Sequence, residues 1–156
     1  MGVPEDLCRY STLQFLGLSD NPLESTIPSC LGTLTQLRYL EITNSRMSGT
    51  LPYSLGNLKK LETLILSDNT FRGSIPSEIG NILNLKEIKL EENTLTGTIP
   101  MEMSKLTYLQ SLDIADNFIH GAFPAALTSL TDLENLKLVG NGIVGKIPNE
   151  FCTLHN

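Results

Sequence analysis

The chain has 156 residues, a formal net charge of −6 and a sequence pI near 4.8. An acidic chain is poorly suited to the phosphates of nucleic acids or to anionic membrane surfaces, and we expect neither as a partner. No apolar run approaches the roughly 18 residues that span a bilayer, and the N-terminal segment lacks the basic and apolar regions of a signal peptide.

A period of 24 residues runs through the sequence, which aligns with itself at that shift without gaps. A fixed period of this length indicates a solenoid, in which each unit packs only on its neighbours. We therefore predict one solenoid domain over residues 1–156, in which residues 1–12 form the second half of a truncated unit. The six full units are residues 13–36, 37–60, 61–84, 85–108, 109–132 and 133–156.

The two terminal units have the same pattern as the internal ones. A finished solenoid ends in atypical capping repeats with a polar outer face. We therefore expect the chain to be a segment of a longer array, and we expect its uncapped ends to favour end-to-end self-association.

The first third of each unit has the pattern of a strand. Position 1 is always leucine and positions 4 and 6 are always aliphatic, as in Leu61, Leu64 and Leu66. This alternation is typical of a strand that buries one face. Stacked copies predict a parallel sheet with strands about 4.8 Å apart.

Position 9 follows the strand and is asparagine in five units. The amide side chain carries both a donor and an acceptor, so it can bond backbone groups that a buried turn keeps from water. Ser45 interrupts this column, and we expect Asn44 beside it to compensate in part. The column consists of Asn21, Asn69, Asn93, Asn117 and Asn141.

The second half of each unit predicts a turn, an extended segment and a short helix. Position 13 is glycine in five units, and an apolar residue and a proline follow, as in Ile75-Pro76. Proline has a fixed φ and no N–H, which suits an extended segment and not a helix interior. Apolar residues three and six places after the proline, such as Ile79 and Ile82, favour one helical turn packed on the core.

The units follow the pattern LxxLxLxxNxLxGxIPxxLGxLxx, which resembles the plant-type 24-residue subclass of the leucine-rich repeat family. The chain is similar to part of the ectodomain of a receptor-like kinase, a receptor-like protein or a polygalacturonase-inhibiting protein. This resemblance implies an α/β repeat solenoid, a curved right-handed superhelix with a parallel β-sheet on the concave face and short helical turns on the convex face. It also implies a non-enzymatic module that binds a protein or peptide, and an extracellular or membrane-anchored parent protein.

A glycine-rich stretch over residues 140–146 matches G-x-G-x-x-G and comes close to a P-loop. Both motifs require a helix to open after the loop, whereas Ile147-Pro148 follows here in the register of the repeat. We attribute the match to the coincidence of the asparagine and glycine columns. We expect no cofactor.

Three further patterns are better explained by the repeat than by chemistry. The acidic residues before the asparagine column, such as Asp68, fit a solvated rim better than a calcium site. The column of hydroxyls at position 14, such as Thr50, fits a solvated turn better than an ice-binding array. His120 and His155 occupy different positions of the repeat, so they suggest no catalytic set, and we expect no enzyme.

The three cysteines are Cys8 and Cys152 at position 20 and Cys30 at position 18. Cys8 and Cys30 belong to neighbouring units and could pair. We expect instead that all three are small, partly buried thiols.

Positions 3, 5, 7 and 8 of each unit lie on the exposed face of the predicted sheet, and this sheet face carries eight carboxylates and two lysines. Its net charge equals that of the whole chain, so it should attract a basic protein or peptide ligand. The candidate ligand-binding residues are Phe15, Tyr39, Glu41, Ile65, Asp68, Glu87, Lys89, Glu91, Glu92, Asp113 and Lys137.

Phe15, Tyr39 and Ile65 should line up in the first three units as an apolar patch. We predict that a polypeptide binds through this patch, with its basic groups meeting the carboxylates of Glu87, Glu91, Glu92 and Asp113. Two alternatives stay open. The apolar residues could be scattered surface residues that need no explanation, and the chain could be a structural spacer of a longer solenoid that binds elsewhere.

Overall fold

A computed structural model describes residues 2–146, 148 and 149, and most units of the repeat contribute two short strands and one 3-10 helix. The strands are β1 (Phe15–Gly17), β2 (Tyr39–Glu41), β3 (Ser48–Thr50), β4 (Thr63–Ile65), β5 (Thr70–Ser74), β6 (Glu87–Lys89), β7 (Thr94–Thr96), β8 (Ser111–Asp113), β9 (His120–Ala122), β10 (Asn135–Lys137) and β11 (Gly142–Val144). The helices are η1 (Glu5–Arg9), η2 (Ser29–Thr33), η3 (Tyr53–Asn57), η4 (Ser77–Asn81), η5 (Met101–Lys105) and η6 (Ala125–Ser129).

The principal sheet is parallel and has the order β1-β2-β4-β6-β8-β10. Residues that are 24 apart in sequence face each other across every pair, as Leu40 faces Leu64 and Leu64 faces Ile88. Side chains at equal positions of the repeat therefore form straight rows across the sheet. This arrangement confirms the predicted repeat solenoid with a parallel sheet.

A second row of strands was not predicted. Strands β3, β5 and β7 form one parallel sheet, and β9 and β11 form another. They occupy positions 10–14, where the sequence indicated only a turn and an extended segment. Four of the five are only three residues long, which is too short for a clear period-two signal.

The core is a continuous apolar column between the principal sheet and the helices. Leu61, Leu64 and Leu66 at positions 1, 4 and 6 have no exposed surface, and Phe71 at position 11 has none either. The same positions are buried in the neighbouring units, so each unit completes the core of the next.

Each helix follows a proline that holds the extended conformation, as Pro76 does with φ −68° and ψ 137°. Its apolar residue, Ile79 in η4, points into the core and is buried. These 3-10 helices are the predicted short helical turns. None of the helices in the described part of the chain is long and apolar enough to cross a membrane.

The asparagine column connects consecutive units. The Asn69 amide nitrogen donates to the carbonyl of Ile42 in the preceding unit at 2.7 Å and to the carbonyl of Ser67 in its own unit at 2.9 Å. Its Oδ1 accepts from the backbone amides of Ser45 and Met47, at 3.1 and 2.9 Å. With a longer bond of 3.3 Å to the carbonyl of Leu66, one side chain bonds five backbone groups and fixes the offset between two units.

Ser45 itself replaces the missing asparagine, so the expected compensation by Asn44 is wrong. The Ser45 hydroxyl donates to the carbonyls of Leu18 and Thr43, which are equivalent to two of the carbonyls that Asn69 bonds. Asn44 lies on the surface, where its side chain donates to Asp20 Oδ1 at 2.9 Å. The Ser45 side chain is too short to accept from the amide of Leu23, as an asparagine Oδ1 atom would. That amide donates instead to the backbone carbonyl of Ser45.

The helices of consecutive units come closest between position 20 of one unit and position 18 of the next. A Cβ on Gly56 would lie 2.5 Å from the carbonyl oxygen of Glu78, so this position admits no side chain without a shift. Gly32 and Gly80 make the same contact with Ser54 and Glu102. The glycines at position 20 therefore allow the close spacing of consecutive helices from η2 to η5.

Cys8 and Cys30 occupy this same pair of positions and form a disulfide, with their Cα atoms 5.9 Å apart. The expectation that both are thiols is wrong. The sequence did contain the signal, because the two residues are separated by 22 positions, as are Gly32 and Ser54. Cys152, Ile147 and His155 lie outside the described residues, as do residues 150–156 of the predicted last unit.

Asn93 offers a test of the asparagine column. Replacing Asn93 by Ala leaves the buried amide of Phe71 without a partner and leaves the carbonyl of Leu66 with only the longer bond from Asn69 at 3.3 Å. We expect it to lower the free energy of unfolding by about 2–4 kcal/mol. The control is Asn21→Ala, because Asn21 is exposed and its side chain donates only to carbonyls of its own unit. We expect the control to cost no more than about 1 kcal/mol in chemical denaturation. Equal losses for both variants would show that the bonds between units do not stabilise the fold.

Candidate ligand-binding face

The sheet face consists of four rows of side chains, one for each of positions 3, 5, 7 and 8. The strand register defines the first two rows directly. Position 3 gives the row Phe15, Tyr39, Thr63, Glu87, Ser111 and Asn135, and position 5 gives the row Gly17, Glu41, Ile65, Lys89, Asp113 and Lys137.

An aromatic pair stands at the β1 end of the position 3 row. Phe15 is 66% exposed, and its ring centroid lies 6.0 Å from that of Tyr39 with the planes tilted by 31°. The Tyr39 hydroxyl donates to Glu41 Oε2 at 2.8 Å. This bond raises the pKa of Tyr39, and burial of the ring adds to the effect. The bond also holds the Tyr39 ring beside Phe15.

Ile65 does not stand in the row of the aromatic pair, which corrects the expected line of three. Tyr39 faces Thr63 across the sheet, whereas Ile65 faces Glu41 and Lys89. Ile65 is the diagonal neighbour of Tyr39, so the Cα atoms of the two residues are about 7–8 Å apart. The apolar surface is therefore a pair with one outlying residue.

Gly17 leaves a gap in the layer of side chains beside the aromatic pair. It lies in β1 two residues after Phe15, and a Cβ built on it meets no atom within 4 Å. Its backbone is therefore accessible from the sheet face. Gly17 stands at position 5, which the repeat pattern places on this face, but a missing side chain gives no signal in a pattern of residue types.

The charges on the sheet face are partly neutralised within the protein. Lys89 pairs with Glu87 two residues earlier in β6 at 2.7 Å, and this hydrogen bond raises the pKa of Lys89. Lys137 pairs with Asp113 across the sheet at 2.9 Å. The Asp113 side chain is only 4% exposed, and its other oxygen accepts from the amide of Ala115. Glu87 and Asp113 are thus already bonded to groups of the protein.

The unpaired negative charge lies at the end of the strands that leads into the turn. Within the described part of the chain, no lysine or arginine forms an ion pair with Asp68, Glu91, Glu92 or Asp116. These four residues occupy positions 7 and 8. Asp20 at position 8 and Glu41 at position 5 have no ion pair in the described chain either, so most but not all of the unpaired negative charge of the face lies along one margin.

Backbone geometry accounts for much of the acidic row at position 8. Asp20, Asn44, Asp68, Glu92 and Asp116 all have φ between 48° and 60°, and Gly140 has φ 70°. Aspartate and asparagine tolerate this left-handed region better than most residues. Across residues 2–146, 148 and 149, no three His, Cys, Asp or Glu side chains are grouped so that they could hold a metal ion.

The glycine-rich stretch forms part of the second row of strands. Residues Gly142–Val144 are β11, which pairs with β9. Gly145 follows with φ 97°. Ile147, which follows the glycine-rich stretch where a P-loop would open a helix, lies outside the described residues.

A shallow trough continues the position 3 row beyond the aromatic pair. Its volume is about 380 Å³, and it is lined by Thr63, Glu87, Ser111 and Asn135 at position 3 and by Lys86, Gln110 and Glu134 at position 2. The row therefore has two parts, an apolar end on β1 and β2 and a polar trough on the strands from β4 to β10.

A family model described as a leucine-rich repeat region matches residues 3–154. Comparison with curated proteins gives no match.

Among solved structures, the chain is similar to the ectodomain of the plant membrane receptor kinase GASSHO1/SCHENGEN3 from Arabidopsis thaliana, in complex with CASPARIAN STRIP INTEGRITY FACTOR 2. The identity is 36% and the TM-score 0.96, over 98% of this chain and 18% of that chain. It is also similar to the ectodomain of the Arabidopsis receptor kinase HAESA in complex with an N-terminally extended IDA peptide hormone, with 35% identity and a TM-score of 0.94 over 98% of this chain and 26% of that chain.

A second HAESA structure contains the peptide hormone IDA and the co-receptor SERK1. The identity is 30% and the TM-score 0.77, over 91% of this chain and 28% of that chain. The chain thus spans between 18% and 28% of the length of these three structures.

The bond between Tyr39 and Glu41 can be tested by titration. Because the pKa of Tyr39 is raised in the folded state, the bond stabilises the fold below the ordinary tyrosine pKa of about 10. That stability is lost as the pH rises through the raised pKa. We expect Glu41→Gln to lower the pKa of Tyr39 in an NMR titration, since the carboxylate charge is removed. Glu102→Gln on η5 is the control and should leave this titration unchanged; an unchanged titration in Glu41→Gln would contradict the assignment.

Proposed function

The chain belongs to the leucine-rich repeat family, and we propose that it is a non-enzymatic recognition module that binds a polypeptide on its sheet face. The proposal extends to the parent protein, which would be a receptor-like or inhibitor protein. The observation that carries it is the aromatic pair beside the open backbone of Gly17, in which the Phe15 ring is exposed and the half-buried Tyr39 is bonded to Glu41.

The aromatic pair is suited to anchor a ligand because its geometry exists before binding. Exposed aromatic residues on a rigid surface contribute contact area at little cost in conformational entropy. Tyr39 is held by Glu41, and Phe15 stands on the adjacent strand. The gap at Gly17 lets a ligand side chain or backbone pack against the edge of the Phe15 ring.

The trough indicates the path of the ligand. It lies in the same row as the aromatic pair, so a chain that crosses the strands along position 3 contacts both parts. Six strands at about 4.8 Å spacing span about 24 Å, which an extended peptide covers in about seven residues. The polar floor offers hydrogen bonds to such a backbone, while the aromatic pair takes an apolar side chain.

The margin with Glu91 and Glu92 favours basic groups in the ligand. Glu87 and Asp113, which the sequence also suggested as contacts, are bonded to Lys89 and Lys137. A ligand would have to break those pairs to use them. We therefore assign the attraction of a basic ligand to Asp68, Glu91, Glu92 and Asp116, which no cation of the described chain neutralises.

Two observations support an extracellular or membrane-anchored parent protein. The similar structures are ectodomains of receptor kinases, two of them in complex with the peptide hormone IDA. The Cys8–Cys30 disulfide suits an oxidising compartment, since cytosolic proteins keep most thiols reduced.

The proposal can be tested by selecting binders from a displayed library of random 12-residue peptides. We expect the selected peptides to lose at least about 10-fold in affinity, or 1.4 kcal/mol, when Gly17 is replaced by Leu. The leucine fills the gap beside the aromatic pair, and the fold should keep its melting temperature because nothing lies within 4 Å of the new Cβ. Phe15→Ala should weaken the same peptides.

The control is Tyr53→Ala, which removes an aromatic side chain that is 70% exposed but stands on η3, outside the sheet face. Affinity should be unchanged in this variant. Peptides that bind Gly17→Leu as tightly as the native chain would place the binding site elsewhere. A selection that yields no binder would favour the structural spacer.

A further inference from the structure

Three buried side-chain oxygens of the described chain have no hydrogen-bond partner: Thr43 Oγ1, Ser67 Oγ and Glu91 Oε2. All three stand at position 7, in three consecutive units. Buried polar atoms in folded proteins nearly always have a partner, so three exceptions in one row need a cause. Ser67 is 5% exposed as a whole residue, which makes its free hydroxyl the least expected of the three.

The residues at position 7 on either side of these three units have no unpartnered side-chain oxygen. Ser19, at position 7 of the preceding unit, accepts from the amide of Thr43 at 2.9 Å. Ala115, at position 7 of the following unit, has no polar side-chain atom, and its amide donates to Asp113. The free oxygens are therefore confined to the middle of the face, next to the unpaired carboxylates of Asp68 and Glu92.

From this juxtaposition we infer that Thr43, Ser67 and Glu91 form a subsite for a basic side chain of a polypeptide ligand. The subsite rests on the proposed function, since the basic group would belong to the polypeptide held on the same face. Its chemistry is specific. A carboxylate oxygen only accepts hydrogen bonds, and the hydroxyls of Thr43 and Ser67 can accept as well. A cationic N–H donor satisfies all three and also meets the negative charge of the margin.

The spacing of the row fits one such donor group. Neighbouring strands are about 4.8 Å apart, so a nitrogen that lies about 2.8 Å from each of two oxygens can bridge Ser67 and Glu91. A guanidinium, with five N–H donors, can extend the contact to Thr43. Thr43 and Glu91 are only half-buried as whole residues. The three oxygens themselves are buried, so changes of side-chain rotamer are required to bring them to the surface when the ligand binds.

The test uses small probes in place of the unknown ligand. Blocked tripeptides with a central arginine, lysine or citrulline are titrated against the 15N- and 13C-labelled full chain, and the resonances of Thr43, Ser67 and Glu91 are followed by NMR. We expect the arginine or the lysine tripeptide to shift these resonances and the neutral citrulline tripeptide to leave them in place. The stronger of the two cationic probes then identifies the side chain. Equal shifts with citrulline, or no shifts with any probe, overturn the inference.

Two variants separate binding from folding. Glu91→Gln should weaken the cationic probe at least 5-fold, whereas Glu102→Gln, which changes the net charge equally on the opposite side, should not. Ser67→Ala should weaken the probe and leave the melting temperature unchanged or raise it, because the native hydroxyl has no partner to lose. A clear fall in melting temperature would show that the hydroxyl is bonded in the free protein and would overturn the inference.

The tripeptides do not need the aromatic pair, so this test is independent of the selection with Gly17→Leu. Failure of the probes leaves binding at Phe15 and Tyr39 intact. If the Gly17→Leu test fails and the cationic tripeptides still bind, the subsite for a basic group is supported and the proposed polypeptide site beside Gly17 is wrong.

Discussion

The offset of 24 residues between neighbouring strands depends on a small set of side-chain hydrogen bonds. Asn69, Asn93 and Asn117 each donate to a carbonyl of the preceding unit and accept from an amide of that unit. The bonded groups are buried, so a unit that slipped by one residue would leave them without partners and would turn its leucines away from the core. The asparagine column and the apolar core therefore select the same register.

That register also determines what kind of binding surface the protein has. Equal positions of the repeat are placed in straight rows, and the residue types within the rows at positions 3 and 5 differ from unit to unit. Position 3 provides an aromatic pair and a polar trough, and position 7 provides free oxygens. Position 8 is acidic largely because its left-handed backbone favours aspartate and asparagine. In the proposed function, a ligand that crosses the strands follows the position 3 row and can reach position 7 with its side chains.

The sequence predicted the fold well because the positions that build it recur. Leucine, asparagine and proline at fixed spacing each have a physical role that is the same in every unit. Errors arose at positions that differ between units. The expected line of Phe15, Tyr39 and Ile65 fails because Ile65 stands at position 5 and the other two at position 3, a difference that counting within the repeat reveals. The disulfide could also have been found, by noting that position 20 of one unit meets position 18 of the next.

Other features of the site could not be read from residue types. Whether Lys89 neutralises Glu87, or whether Asp113 is buried, depends on side-chain conformations that the repeat does not determine. The same holds for the free hydroxyl of Ser67, because a serine at position 7 is bonded in one unit and free in another. Ser45 is an instructive case, since its hydroxyl performs part of the role of asparagine although a pattern records it as a break.

Amide hydrogen exchange tests most directly whether the asparagine column fixes the register. The amides of Met47, Phe71, Leu95 and Ile119 each donate to the Oδ1 atom of an asparagine in the next unit, at 2.9–3.0 Å. If these bonds hold the units together, the four amides exchange as slowly as strand amides such as that of Leu64, because they open only when neighbouring units separate. Exchange of the four at the rate of exposed turn amides, with the strands still protected, would show that the column does not hold the register.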